Sequence, residues 1–175
     1  MIEEKEKICR ALTAMADTEG KSLTFSLAGE EYGLEILKVR EIIGYMDVTA
    51  IPQILSYIKG VINLRGKIHP IMDLKIKFGM DQCLITEETC IIVIKTASLM
   101  MGVLVDKVSE VVNLASEEIE ETPSFGADVN TEYLLGLGKT GGQVRLLLDI
   151  EKIITVSDII HLKKAAEASE QKPKN

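Results

Sequence analysis

The run closest to a chemical motif is Gly136-Leu-Gly138-Lys-Thr-Gly141, which matches G-x-G-x-x-G and contains Gly-Lys-Thr. Cradling a phosphate would require a strand before this run and a helix after it, so that helix N–H groups face the anion. The next residues are instead Gly142-Gln-Val-Arg-Leu-Leu-Leu-Asp149, whose branched apolar texture is that of a strand. A P-loop would also need Gly five residues before Gly138, where Tyr133 stands. The run therefore reads as a hairpin turn. His69 and His161 lie far apart, and neither has a Cys or His beside it, so both read as structural or surface residues. Asp73 and Asp149 each come after an apolar strand and could form a paired acid site. Capping of the next helical turn explains them more simply. Cys9, Cys83 and Cys90 form neither a C-x-x-C pair nor metal-ligand spacing and read as reduced thiols. No nucleophile elbow, zinc helix or phosphate cradle is present, so an enzyme is disfavoured and no cofactor or metal is expected. A small β-barrel ligand carrier or enzyme is the alternative.

Arg65 stands apart among the polar residues. It ends Val61-Ile-Asn63-Leu-Arg65-Gly66, an apolar strand that leaves a solvent-facing Arg without an obvious partner. It fits equally a surface ion pair and an interface anchor, a role in which Arg is enriched. The aliphatic set Val39, Ile42, Val108 and Val111 is open in the same way between plain core and contact surface.

Composition narrows the partners. Of 175 residues, 46% are apolar and 27% charged, a globular balance, and the formal net charge is −7. Lys and Arg are scattered among acids and aromatics make up only 4%, so nucleic acid is not an expected partner. No apolar run approaches the roughly 20 residues of a membrane helix, and the charged start carries no apolar signal segment, so direct membrane insertion is not expected.

These residues must be positioned by many short strands. From Ser22 onward, runs of Val, Ile, Leu and Thr alternate with Gly, Asp, Asn and Glu. Residues 22–28 and a long or bent strand over 32–43 flank a turn at Gly29-Glu30-Glu31. Residues 53–59 suggest a helical turn or two, after Pro52 breaks the preceding strand. Residues 61–64 and 67–74 pair around Arg65-Gly66, and 90–95 begins a second set. Residues 158–168 read as a C-terminal helix. The first twenty residues fit either a frayed tail or an amphipathic helix with Ile8, Ala11, Leu12 and Met15 on one side.

The chain is internally duplicated. Gly33-Leu-Glu-Ile-Leu-Lys38-Val39-Arg-Glu41-Ile42-Ile43 lies over Gly102-Val-Leu-Val-Asp-Lys107-Val108-Ser-Glu110-Val111-Val112 without a gap. Tyr57-x-x-Gly60 lies over Tyr133-x-x-Gly136, and Ile71-Met72-Asp73-Leu74 over Leu147-Leu148-Asp149-Ile150. Each copy is near the lower size limit for an independent core, so two small barrels packed as one body are expected. A cleft between them is the natural docking site.

Glu31-Tyr32-Gly33, Gly60-Val-Ile-Asn63-Leu-Arg65-Gly66, Pro70-Ile-Met-Asp73-Leu74 and Thr131-Glu132-Tyr133-Leu134-x-Gly136 closely resemble the CheW coupling proteins of bacterial chemotaxis. The resemblance implies a mainly β fold: two pseudo-symmetric five-stranded SH3-like β-barrels around a shared core, with short helices and a C-terminal helix. It implies one CheW-like domain over 22–154, with a first barrel at about 22–85 and a second at about 90–150. Elements may be exchanged between the lobes. Residues 1–21 and 155–175 flank this domain. The implied function is a cytoplasmic adaptor, recruited to receptor arrays at the inner membrane, that joins methyl-accepting chemoreceptors to the regulatory domain of the histidine kinase CheA. On matching positions, Val39, Glu41, Gly60, Arg65, Gly102, Val108 and Val111 would form the receptor surface. Ile68 on the first barrel and Phe125 on the second would serve kinase and ring contacts. Within the same fold, a CheV-like adaptor or a detached kinase regulatory domain would share these features.

Overall fold

The computed structural model describes residues 20–51, 55–81, 84–97, 99–114, 118–120, 133–154 and 156–171. Its strands are β1 (Lys21–Leu27), β2 (Glu30–Glu35), β3 (Val39–Gly44), β4 (Ile58–Leu64), β5 (Lys67–Asp73), β6 (Cys90–Lys95), β7 (Met100–Val105), β8 (Lys107–Asn113), β9 (Ile119–Glu120), β10 (Leu134–Thr140) and β11 (Gln143–Leu148). Helices α1 (Leu74–Lys77), α2 (Ile150–Ile153) and α3 (Val156–Gln171) complete the described elements. The expectations for residues 1–19, Pro52 to Ile54, Cys83 and Phe125 lie outside the described residues.

The fold is mainly β, in two sheets, with a few short helices. One sheet has the order β8-β1-β2-β11-β10-β9 and the other β3-β6-β7-β5-β4. Strands from both halves of the sequence enter each sheet. The switch between sheets falls where the sequence suggests a single long strand over 32–43. Instead β2 ends at Glu35, a 3-10 turn at Ile36–Lys38 redirects the chain, and β3 starts at Val39. Ile36 is buried in this turn, which anchors the bend. Of the helical turn expected over 53–59, residues 53 and 54 lie outside the described residues, the Ile58 N–H closes a turn onto the Leu55 carbonyl, and Ile58, 4% exposed, already opens β4 opposite Met72. Burial of a β-branched side chain in a ladder outweighs local helical preference there.

The duplication is visible in the registers. In one sheet Thr24, Gly33 and Leu147 stand side by side, and in the other Val93, Gly102 and Ile71 do the same. Register shifts fall at Leu134/Gly136 and at Ile58/Gly60, again at matching places. Asp73 and Asp149 act as N-caps in both copies, accepting from the N–H of Lys75 at 2.9 Å and of Glu151 at 3.1 Å. The tyrosine carbonyls also recur, with Asp73 N–H donating to Tyr57 and Asp149 N–H to Tyr133.

Between the sheets lies one core, with Leu23, Phe25, Leu34, Ile42, Ile92, Ile94, Met101 and Leu148 among its buried members. Phe25, Tyr32, Phe78 and Tyr133 stack through it with ring centroids 6.0, 6.1 and 5.6 Å apart. These are four of the seven aromatic residues, so most of the aromatic side chains serve the shared core. A second, smaller cluster of Ile62, Ile71, Ile91, Val93 and Leu104 fills the far face of the β3–β7 sheet.

The expected closure into barrels is corrected. Neither sheet closes by a continuous ladder, since β3 and β4 are opposite edges of one sheet and β8 and β9 of the other. The first pair of edges is tied by a single bridge, Thr49 to Val61, with N–H···O distances of 2.8 and 2.9 Å. The chain over 45–50 makes no longer strand, so the sheet curls until its edges approach and then stops.

Candidate partner-binding surface

Curling brings β3 and the β4–β5 hairpin together, and this creates the most distinctive exposed polar feature. The hairpin tip is Arg65-Gly66, both at positive φ (53° and 83°), with the Gly66 N–H donating to the Asn63 side chain at 3.0 Å. That turn aims Arg65 across the gap at Glu41. Both terminal guanidinium nitrogens donate to the two carboxylate oxygens, Nη1 at 2.8 Å to Oε2 and Nη2 to Oε1. The Arg65 side chain remains 73% exposed and Glu41 26% exposed. The hydrogen bonds from Arg65 to Glu41 raise the Arg65 pKa above its ordinary value, so the guanidinium stays charged. A planar fork is thus held rigid at a surface, able to present its remaining N–H groups to a partner.

The other site residues expected from the sequence turn inward. Val39 and Val108 are 8% and 6% exposed and belong to the shared core, against which Val111 packs. Gly102 lies under Ile71 and Ile91: a Cβ there would meet Ile71 Cδ1 at 2.5 Å and Ile91 Cγ2 at 2.7 Å. Gly60 is enclosed by the backbone of Thr49. Ile68 is half-buried on β5, opposite Asn63. Glu41 and Arg65 therefore meet directly, Val39, Val108 and Val111 share the core, and the two glycines are packing positions. His69, behind the hairpin, is 8% exposed, and burial holds its pKa below the usual value. Among the described residues no group of three or more His, Cys, Asp and Glu could hold a metal ion.

A buried cluster that no sequence pattern pointed to holds the C-terminal helix. Asp158 of α3 is 2% exposed and accepts from the Tyr57 hydroxyl and from Lys77 Nζ at 2.8 Å. Lys77 Nζ also lies 4.4 Å from the centre of the Tyr57 ring. Tyr57 is legible in the sequence only as a landmark of the repeat. Its partner comes from a helix outside the repeat, and no local pattern links them. Burial, then the hydrogen bond to Asp158, raises the Tyr57 pKa; burial does the same for Tyr32. Both phenols favour the protonated form in the fold, so the stability they contribute is complete below about pH 10 and falls as pH rises beyond it. Tyrosinate absorbance during alkaline titration should show a late-ionising group that Tyr57→Phe removes. An unchanged titration curve in that variant would contradict the assignment.

With this geometry in place, similarity to known proteins is decisive. The family model described as the CheW-like domain matches residues 21–158. The chain belongs to this family. It is 44% identical over 137 residues to the chemotaxis protein CheW of Klebsiella aerogenes, covering 78% of this chain and 82% of that one. A probable chemotaxis protein CheW of Rhizobium etli is 30% identical over 148 residues, covering 85% and 96%. The crystal structure of the scaffolding protein TtCheW from Thermoanaerobacter tengcongensis superimposes with a TM-score of 0.72 at 33% identity, covering 79% of this chain and 94% of that one. This chain is accordingly a chemotaxis scaffold of the CheW family. No helix among its described residues is long and apolar enough to cross a membrane.

Proposed function

We propose that this CheW-family chain is a cytoplasmic adaptor that couples the tips of methyl-accepting chemoreceptors to the regulatory domain of CheA within receptor arrays. The observation that carries the reading is the exposed, bidentate Arg65–Glu41 pair. A surface pair of this kind adds little to folding, yet an oriented Arg at a hairpin tip suits a partner contact. In this reading Val39, Glu41, Gly60, Arg65, Gly102, Val108 and Val111 form the receptor-binding region, with Arg65 and Glu41 as its exposed polar pair. Ile68 contacts the kinase, Phe125 serves the contact that closes rings, and residues 22–154 act as one domain. Receptor signals reach the kinase because the bound states differ in their contacts with the adaptor, and the chain itself turns over nothing.

Arg65→Ala is expected to weaken capture by a receptor cytoplasmic fragment roughly tenfold or more, while CheA binding and the thermal midpoint stay close to wild type. Arg65→Lys should rescue poorly, because an ammonium cannot reproduce the fork. Receptor capture at wild-type strength would remove Arg65 from the interface. The function itself is tested by CheA autophosphorylation with receptor fragment present, with and without this protein. Absence of both stimulation and a ternary complex would overturn it.

A further inference from the structure

The hairpins at equivalent places in the two copies share one turn but are built from different residues. In the first copy Leu64 faces Lys67 across Arg65-Gly66, and in the second Thr140 faces Gln143 across Gly141-Gly142. The backbone angles agree: φ is 53° and 83° at the first tip, 62° and 77° at the second. A two-residue turn with both φ values positive matches the twist of its strands, and it favours Gly, Asn or Asp at those places. The second copy meets that preference with two glycines. The first puts Arg65 where a Cβ crowds the backbone, in a conformation that glycine adopts freely. Among the described residues the only other non-glycine at positive φ is Ala28, at the β1–β2 tip.

Asn63 braces the first of these tips. Its Oδ1 accepts from the Gly66 N–H at 3.0 Å. Asn63 is exposed and is of a residue type depleted from strands, so packing does not account for it near the end of β4. The equivalent residue of the second copy is Lys139, whose ammonium can only donate. The β1–β2 tip repeats the arrangement with a distant residue: Ala28 has φ of 51°, and its N–H donates to Asp106 Oδ2 at 2.8 Å. At each tip where a side chain sits at positive φ, a side-chain oxygen thus holds the turn backbone. From the first tip Arg65 donates through both terminal nitrogens to Glu41 on β3. We propose that Asn63 is a positioning residue for the partner surface: it locks the β4–β5 tip in the strained form that points the Arg65 fork at Glu41. The proposal rests on the reading of Arg65 as a partner contact. A side chain placed at a cost to its own turn, and then braced there, is a contact residue in character and not a turn former.

The positioning is read first without a partner, in nitrogen NMR spectra of the Arg65 guanidinium at low temperature. Two hydrogen bonds to Glu41 restrict rotation of the fork, so separate Nη resonances are expected in the wild-type chain. They should merge in Asn63→Ala and stay separate in Asn63→Asp, whose carboxylate keeps an acceptor at the same place. Amide signals outside the hairpin should stay in place in both variants, which shows that the fold survives. Separate Nη resonances in Asn63→Ala would overturn the proposal. Capture by a receptor cytoplasmic fragment is the second readout. Asn63→Ala should weaken it about fivefold, the factor that one hydrogen bond of ordinary net strength supports. In an Arg65→Ala chain the same change should have no further effect. A full fivefold loss in that chain would mean that Asn63 touches the partner itself, and would overturn the positioning role. Wild-type capture by Arg65→Ala alone would instead remove the partner reading, and the guanidinium spectra would still decide whether Asn63 holds the fork.

Discussion

Asp158→Ala is expected to lower the unfolding free energy by about 3–5 kcal/mol, the loss typical when one partner of a buried ion pair is removed. Asp158 is 2% exposed and the Lys77 side chain 10% exposed, so the ammonium would be left buried without its counter-charge. The Tyr57 hydroxyl would lose its acceptor at the same time. Leu162, fully buried on the same helix, would then be the main remaining anchor of α3. Urea unfolding at neutral pH measures the effect. A shift below about 1 kcal/mol, the range of exposed pairs, would mean that the cluster is solvated in solution. The double variant Asp158→Ala/Lys77→Met should recover part of the loss, because a buried ion pair is often replaceable by apolar packing but seldom by half of itself.

Gly60→Ala is the second large effect, and its cause is steric. Gly60 has φ of +141°, and a Cβ built there would lie 2.0 Å from the Thr49 carbonyl oxygen and 2.7 Å from its carbon. Backbone cannot swing aside as a side-chain methyl can. The substitution must break the Thr49–Val61 bridge that ties the edges of the β3–β7 sheet. Left-handed strain of about 1–3 kcal/mol and overpacking of about 1–3 kcal/mol together predict a loss of roughly 2–6 kcal/mol. Gly102→Ala should cost less, about 1–3 kcal/mol, because it meets only the methyl groups of Ile71 and Ile91. Thermal melting of both variants checks the order, and a wild-type midpoint for Gly60→Ala would refute it. The contrast with Arg65→Ala is useful: both variants should weaken receptor capture, but only Gly60→Ala should also lower the midpoint.

The local elements and their duplication follow from residues close together in the chain. The hairpin at Arg65-Gly66, the caps at Asp73 and Asp149 and the repeated Tyr-x-x-Gly were legible, while the run Gly136–Gly141, read as a turn, is strand β10 up to Thr140 with the turn itself at Gly141-Gly142. Each depends on residues a few positions apart, where backbone preference and short-range hydrogen bonding dominate. The Asn-Leu-Arg-Gly block also pointed to Arg65, although nothing in the block specifies its acceptor. Glu41 becomes that acceptor only after the sheet has curled its edges together.

Long-range packing sets which sheet each strand joins. The 3-10 turn at Ile36–Lys38 sends β3 away from β2, and nothing in the apolar texture of residues 32–43 marks where this turn falls. Tertiary packing likewise decided that Val39 and Val108 face the core and that α3 is held through Asp158, 101 positions from Tyr57. It also gathered Ile62, Ile71, Ile91, Val93 and Leu104, drawn from both copies, into one apolar cluster. The physical reason is common to all of these. Strand formation and capping are set by neighbours along the chain, whereas burial, sheet membership and ion pairing depend on which distant surfaces meet, and that becomes defined only when the two copies pack together.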